Sequence, residues 1–234
     1  MRRSAIAIFA VTAMLSACSI ADGYRTSVSI EEQETEYSSV YAEVTEWSGF
    51  KNKEYQSQLN EEIATDVSEA INEFDKLAAE TAPLLPEGVK PALSIKQIVM
   101  RNSGGIISFV TENYTYLGGA HGTTSWSPYT ADVLSESPHD LELRELFTNE
   151  DDYIDTINRI IDELIEADPE KYSELWADPH ITEDDQDRYY LTDEELVIFY
   201  EPYELSYYAK GFIEFPIRLT EINGILKDPF KAEK

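Results

Sequence analysis

The stretch that decides the fold of this chain is residues 94–122, SIKQIVMRNSGGIISFVTENYTYLGGAHG. Two runs rich in β-branched and aromatic residues, 94–100 and 106–116, flank an Asn-Ser-Gly-Gly sequence that is typical of a tight turn, so the stretch predicts a β-hairpin. The second strand continues directly into a run that contains three glycines. Glycines that end a strand let the backbone take a positive φ or pack closely against another segment. We expect this glycine–histidine run, residues 116–122, to be a shaped turn.

The residues before the hairpin contain a strand-like pattern and then a helix-like one. Residues 26–47 hold β-forming side chains on both sides of an acidic segment, Glu31–Glu36, and predict two strands joined by a solvated turn. The residues that follow repeat apolar side chains every three or four positions, which predicts one long amphipathic helix. Its apolar stripe consists of Tyr55, Leu59, Ile63, Val67, Ile71, Phe74 and Ala78.

A second helix and four further strands are predicted after the glycine–histidine run. Apolar residues at helical spacing between Tyr153 and Leu164 predict the helix, which Pro169 ends or restarts as a short helix containing Trp176. The strands are predicted at residues 126–133, 188–191, 196–200 and 212–219, and the last contains a proline, which is typical of a sheet edge or a bulge. We therefore expect an α+β fold, a largely antiparallel β-sheet with two main helices packed on it.

The first residues have the pattern of an exported lipoprotein. A basic start, Met1-Arg2-Arg3, precedes an apolar run that is shorter than the ~20 residues needed to span a bilayer. Leu15-Ser16-Ala17-Cys18 then resembles a lipobox, in which the cysteine thiol receives a lipid. We predict a signal peptide at residues 1–17, lipidation of Cys18 and a tether at residues 18–23. The alternative is an ordinary secretory signal with Cys18 near the cleavage site.

Lipidation predicts the location of the protein. The anchor would hold it in the cell envelope, on the periplasmic face of the outer membrane in a Gram-negative cell and otherwise on the outer face of the cytoplasmic membrane. Cys18 is the only cysteine, so the exported part would contain no internal disulfide and would depend on packing for its stability.

The charge of the chain limits its partners. The sequence contains 46 acidic and 18 basic residues, for a formal charge of −28, and removal of Arg2 and Arg3 with the signal peptide makes it −30. Nucleic acid is excluded as a partner, because its binding depends on neutralising phosphates with lysine and arginine. Two interpretations stay open. The charge is either a solvated surface that favours solubility or an attraction for a cationic partner.

Two segments resemble the RsiV-like family. Tyr116-Leu117-Gly118-Gly119-Ala120-His121-Gly122 resembles the Tyr-x-Gly-Gly-Ala-His-Gly signature of that family, and Asp187–Ile217 is similar to its C-terminal half. The family includes the lysozyme-sensing extracytoplasmic part of an anti-sigma factor and the N-terminal region of a peptidoglycan deacetylase. The resemblance covers residues 24–225. It implies a PdaC-like half at residues 24–117 and an RsiV-like half at residues 118–230, as one compact module or two closely packed subdomains.

The departures from the family matter as much as the matches. The chain shows no counterpart of the sigma-binding segment or of the deacetylase domain, so the resemblance implies the shared binding module alone. Glu194 and Glu195 stand where the family often has glycine, and Tyr207 stands where proline is usual.

The sequence offers few groups for catalysis. His121 is a candidate general base, because the pKa of histidine lies near neutrality, but we favour a structural role for it in the turn. Neither a Gly-x-Ser-x-Gly elbow nor a cysteine nucleophile is present in the exported part. His121, His139 and His180 lack the spacing of a zinc site, and the acidic segment 183–187 lacks the pattern of an EF-hand. We expect a non-catalytic protein with no cofactor and no metal.

Recognition through aromatic side chains is the main functional hypothesis. Tyrosines and a phenylalanine cluster between residues 200 and 212, and tyrosine combines apolar area with a hydroxyl group. Alternation along a strand would instead bury about half of these rings in the core, and both interpretations stay open. The family resemblance marks Tyr203 as a structural member of this cluster. We expect a lipid-anchored module that binds a cationic envelope protein such as lysozyme, or peptidoglycan. The alternatives are a peptidoglycan-acting enzyme or accessory protein and a glycan-binding module. The predicted binding residues are Tyr116, Gly118, Gly119, His121, Gly122, Tyr203, Glu204 and Tyr208.

Overall fold

The computed structural model of the chain describes residues 7–9, 23–149 and 152–232. The predicted lipidation site, Cys18, lies outside these residues, and so does the rest of the predicted signal peptide apart from residues 7–9.

The described strands form two sheets, and together with the helices they confirm the predicted α+β class. One sheet contains, in spatial order, β1 (Ala7–Phe9), β2 (Arg25–Glu34), β3 (Ser39–Ser48), β4 (Ala92–Ser103), β5 (Ile106–Tyr116) and β6 (Thr123–Asp132). The other contains β7 (Tyr189–Leu191), β8 (Glu195–Tyr200) and β9 (Ile213–Arg218). Strands β2 and β3 are antiparallel, β3 and β4 are parallel, and the second sheet is antiparallel throughout. The helices are α1 (Lys53–Thr81), α2 (Tyr153–Ala167) and the short α3 (Leu219–Ile222).

The chain divides into two compact units that interleave along the sequence. The first unit consists of the described residues up to Ile98 and of Thr111–Ser127, and the second consists of Val99–Val110 and of the described residues from Pro128 onward. Neither unit is a continuous half of the chain, because β4, β5 and β6 each contribute residues to both.

In the first unit, helix α1 packs on strand β3 as its apolar stripe predicts. All seven predicted stripe residues are buried. Asn52 caps the helix, since its side-chain oxygen accepts the Tyr55 N–H at 3.0 Å. The Asn60 amide group bonds both the N–H and the C=O of Trp47, at 2.8 and 3.0 Å, and so fixes the end of β3 to the helix. Each large apolar side chain that the helix buries stabilises the fold by about 1.5–3 kcal/mol.

In the second unit, helix α2 packs on β9, and both contribute to one large apolar core. The stripe of α2 buries Tyr153, Ile157, Ile160 and Ile161, and the Tyr153 ring stacks on Phe147 at 4.8 Å. Strand β9 lies at the edge of its sheet and contains Pro216, which confirms the edge position predicted from that proline. The chain after α2 forms turns around Tyr172 rather than a short helix.

Candidate binding site

The glycine–histidine run lies in the first unit, directly after β5, and its glycines are needed for two different reasons. Gly118 and Gly119 have φ values of +97° and +108°, which side chains rarely permit. Gly122 has no such φ, but a Cβ there would lie 2.5 Å from the Tyr114 ring and 2.7 Å from the Thr115 carbonyl oxygen. A side chain on Gly118 would also overlap Leu85. The run is therefore a turn that only this pattern of glycines permits.

The polar groups of the run bond to the run itself. The Tyr116 hydroxyl donates to the Gly119 carbonyl at 3.1 Å, and His121 Nδ1 lies 2.8 Å from the carbonyl oxygen of Gly122. Because that oxygen only accepts, Nδ1 carries the proton and the ring donates. The His121 side chain is exposed. These contacts are those of a histidine that shapes a turn.

The predicted tyrosine cluster lies in the second unit and divides into a buried part and an exposed part. Tyr200 ends β8 inside the core, and burial raises the pKa of its hydroxyl well above the ordinary range. Tyr203 and Tyr207 are 54% and 40% exposed, and the Tyr208 ring lies 5.6 Å from that of Tyr203. The Tyr203 side chain, which the family resemblance marked as structural, thus points to solvent. We name residues 173–176 and 201–208 the aromatic loops.

The two aromatic loops are bonded to each other at four points. Trp176, which is 58% exposed, donates its backbone N–H to Leu205 O at 3.0 Å and its indole N–H to Glu204 O at 3.3 Å. From the other loop, Ser206 Oγ donates to the Glu174 carbonyl at 3.0 Å. The Tyr207 hydroxyl donates to the Glu174 carboxylate at 2.8 Å, and that bond raises the pKa of the hydroxyl. The segments that carry the exposed rings are therefore held together by hydrogen bonds between the two loops.

The backbone of each aromatic loop is strained at one residue. Glu174 and Tyr203 have φ values of +66° and +79°, and among the described residues they are the only ones other than glycine with a positive φ. Such a conformation costs on the order of 1–3 kcal/mol and persists only where surrounding contacts impose it. The pair is thus held by its contacts in a shape that the isolated sequence would not choose.

Arg188 lies beneath the loop that carries Tyr203. Its guanidinium nitrogens Nη1 and Nη2 donate to the two Glu204 carboxylate oxygens at 2.7 and 2.9 Å, and Nε donates to Asp185 at 3.0 Å. The guanidinium carbon is 4.5 Å from the centre of the Tyr200 ring. Burial opposes the charge of Arg188, but the two carboxylates outweigh it and raise the pKa of the guanidinium.

A separate cavity of about 460 Å³ also lies in the second unit. Its lining is strongly acidic, with one basic side chain that pairs with its neighbour Glu142. The charged lining residues are Asp140, Glu142, Arg144, Glu183, Asp184 and Asp187.

The described residues contain no cluster of three or more histidine, cysteine or carboxylate side chains placed to hold a metal ion. Within the same residues, no helix has both the length and the apolar character needed to cross a bilayer.

The structure assigns the predicted binding residues to two places. Tyr116, Gly118, Gly119, His121 and Gly122 lie in the first unit, and Tyr203, Glu204 and Tyr208 lie together in the second. Sequence reasoning missed Trp176, Glu174 and Arg188 as members of the second group. Their contacts with the tyrosine loop join residues 16–33 positions apart, so no local pattern reveals them.

Comparison with known proteins finds matches to two family models. Residues 31–124 match the family model described as Deacetylase PdaC, and residues 144–220 match a model described as a protein of unknown function, DUF3298. These matches confirm the predicted family resemblance. Among curated proteins, none matches the chain.

Solved structures of the DUF3298 family share the fold. A member from Bacteroides fragilis NCTC 9343 superimposes with a TM-score of 0.69 at 14% identity, over 88% of this chain and 95% of that one. A member from Pseudomonas aeruginosa PAO1 gives a TM-score of 0.62 at 17% identity, over 91% of this chain and 99% of that one. At these identities the likeness shows the fold alone.

Proposed function

Because the chain carries a PdaC domain followed by a DUF3298 domain, we propose that it is a non-catalytic binding module of the cell envelope. Its partner is a cationic protein, and the most specific candidate is a lysozyme-like muramidase. Cys18 carries the lipid that anchors the module to the membrane.

The observation that carries this proposal is the set of exposed rings on the aromatic loops. Trp176, Tyr203 and Tyr207 all expose 40% or more of their surface, although large aromatic side chains gain by burial. Tryptophan and tyrosine are enriched among the residues that dominate binding energy at protein interfaces. Held on a bonded frame, these rings lose little freedom when a partner covers them.

The charge of the module supports a cationic partner. The formal charge of −28 attracts a basic protein over a distance and accelerates its encounter. The faces of tyrosine and tryptophan also attract lysine and arginine by cation–π interaction. Long-range charge sets the rate of association, and the rings provide the specific contact.

A calorimetric titration with a C-type lysozyme tests the proposal. We expect binding at low salt and at a physiological ionic strength of about 0.15 M, weaker at the higher salt because charges are screened over about 8 Å there. Trp176→Ala should weaken binding at both. The matched control is Tyr37→Ala, since Tyr37 is 49% exposed but belongs to the first unit.

Four results would replace this proposal with one of three alternatives. Binding only at low salt, or equal binding by Trp176→Ala, would indicate unspecific charge attraction. Retention on purified peptidoglycan in high salt without lysozyme binding would favour a glycan-binding module. Turnover of muropeptides that His121→Ala abolishes without loss of stability would favour an enzyme.

The anchor is tested separately by Cys18→Ala. We expect the wild-type protein to incorporate labelled lipid and to fractionate with membranes, and the variant to do neither. Membrane fractionation unchanged by the substitution would contradict the proposed lipidation.

A further inference from the structure

Glu204, one of the predicted binding residues, directs its charge into the molecule. Its carboxylate accepts hydrogen bonds from both terminal nitrogens of Arg188. It also accepts one from the backbone N–H of Glu201, three residues earlier in the same loop. The paired side chains are only partly exposed, 36% for Glu204 and 23% for Arg188. A planar guanidinium and a carboxylate that meet in two parallel hydrogen bonds fix each other's orientation as well as their distance.

Arg188 is itself held from below. Asp185 accepts its Nε, and the same carboxylate accepts the backbone N–H and the hydroxyl of Thr182, both at 2.8 Å. On its other side the guanidinium lies over the Tyr200 ring, which is buried in the core of the second unit. Arg188 thus has one fixed position relative to that core, and its two hydrogen bonds to Glu204 fix that carboxylate relative to the same core.

The fixed carboxylate lies at the point where the aromatic loops are strained. Tyr203, with its positive φ, directly precedes Glu204, and the Glu204 carbonyl receives the Trp176 indole N–H. The exposed Tyr203 ring therefore belongs to the residue before Glu204, and the exposed Trp176 ring is bonded to the Glu204 carbonyl. A strained conformation persists only where its surroundings impose it. The Tyr203 N–H donates to Ser206 O at 3.1 Å inside the loop, and the Arg188–Glu204 pair ties the next residue to the core of the second unit.

We propose that Arg188 is the positioning residue of the aromatic loops, and that Glu204 serves this clamp rather than the partner. The clamp orders the loops before binding, so a partner does not have to order them itself. Since Arg188 neutralises Glu204, this carboxylate does not attract the cationic partner. The inference rests on the proposed function for the identity of the partner, but the clamp is a property of the free protein.

Hydrogen exchange in the free, full-length protein tests the clamp. Arg188→Lys keeps the charge but cannot form two parallel bonds, so we expect the amides of Trp176, Tyr203 and Glu204 to exchange at least about tenfold faster. The amides within β8 and β9 should exchange as in the wild type. Arg159→Lys is the matched control, because the ion pair of Arg159 is exposed and its partner, Glu163, lies on the same helix α2.

Two exchange results would overturn the proposal. Unchanged exchange in the aromatic loops would show that the pair does not order them. A uniform rise across β7, β8, β9 and the loops would show that Arg188 only supports the whole unit. If Arg188→Lys fails to fold, Glu204→Gln replaces it, because the amide keeps the shape of the side chain and loses one acceptor.

A lysozyme titration of the same variants separates this inference from the proposed function. With a binding wild type, Arg188→Lys should weaken affinity at least about fivefold and Arg159→Lys should not, because the partner then has to order the aromatic loops itself. A full-affinity Arg188→Lys would overturn the positioning role. Should the wild type itself fail to bind, only the proposed partner is lost, and the exchange result still decides the clamp.

Discussion

The glycine–histidine run and the aromatic loops differ in what determines their backbone shape. In the run, unusual residues serve the backbone. Gly122 makes room for the Tyr114 ring, and the Tyr116 hydroxyl bonds the run's own carbonyl. In the aromatic loops, Tyr203 has a positive φ although it is not a glycine, its N–H donates to Ser206 O in the same loop, and its ring lies in solvent. The run keeps its shape because its glycines have no side chains. The aromatic loops keep theirs because hydrogen bonds, several of them from side chains, join one loop to the other.

This difference shows what kind of information each region carries. A requirement for glycine is a local steric fact, so it leaves a visible pattern in a short stretch of sequence. The surface proposed for binding is built from two loops and depends on contacts such as that between Trp176 and Glu204, 28 residues apart, which leave no local pattern. The most recognisable motif of the chain is therefore evidence for its fold, and the proposed surface was visible only in the structure.

The largest effect is expected from adding a methyl group at Gly122. Gly122→Ala places a Cβ against a backbone carbonyl that cannot move freely, and we expect a loss of about 3 kcal/mol in the free energy of unfolding. Urea denaturation measures it. The control is Gly119→Ala, where nothing lies within 4 Å and only the positive φ is unfavourable, which should cost about 1 kcal/mol. Equal costs at the two glycines would break the steric account of the run.

The second effect concerns binding rather than stability. Trp176→Ala should weaken lysozyme binding by about 2 kcal/mol, the size of effect found at central aromatic residues of other interfaces. It should change the unfolding free energy by less, because most of the ring is already in water. A variant that unfolds easily but still binds would reverse the roles assigned to the two regions.

Tyr203→Gly separates the backbone of the aromatic loop from its ring. Glycine accepts the positive φ without strain, which offsets its own entropic cost, so we expect the unfolding free energy to stay constant or to rise by about 1 kcal/mol. Lysozyme affinity should fall in the same variant. A drop in stability of more than about 1 kcal/mol would show that the Tyr203 ring is structural, as the family resemblance alone implied.

The smallest effect is a pH dependence in the second unit. The pKa of His139 is raised by its hydrogen bond to the Ser137 carbonyl and by the Glu145 carboxylate 3.0 Å away. Its contribution is therefore complete below the ordinary histidine pKa of about 6.5 and is lost as the pH rises through the higher folded value. The side chain is 54% exposed, so we expect at most about 0.5 kcal/mol.

His139→Gln should remove that dependence. The measurement is urea denaturation of wild type and variant between about pH 6 and pH 8, the window around the histidine pKa. Parallel stability curves for the two proteins would contradict the proposed contribution of the His139–Glu145 pair.

Much of the fold followed from the sequence, because its signals are periodic. All seven residues of the predicted stripe of α1 are buried, since an amphipathic helix repeats its apolar face every three or four residues. The hairpin of β4 and β5 and the edge position of Pro216 were also predicted, from turn residues and from the missing N–H of proline. The division of the strands into two sheets left no such signal, because strand pairing is a long-range property.

Less of the candidate site followed from the sequence, for the same reason. Clustering drew attention to Tyr203, Glu204 and Tyr208, but it did not show that Glu204 turns inward to Arg188. The sequence predicts that Pro169 ends α2 or restarts a short helix containing Trp176, whereas in the structure Trp176 follows a series of turns, is exposed, and donates its N–H to Leu205 O. These facts depend on which segments meet in space, and a single sequence does not contain them.

The most direct test of the central claim is the affinity of Tyr203→Gly for a C-type lysozyme at physiological salt, measured beside the wild type and Tyr37→Ala. The account predicts that the wild type and Tyr37→Ala bind equally and that Tyr203→Gly binds at least about tenfold more weakly with undiminished stability, because the ring is a contact and its backbone is strained. Equal binding by all three proteins, or no binding by the wild type, would contradict it.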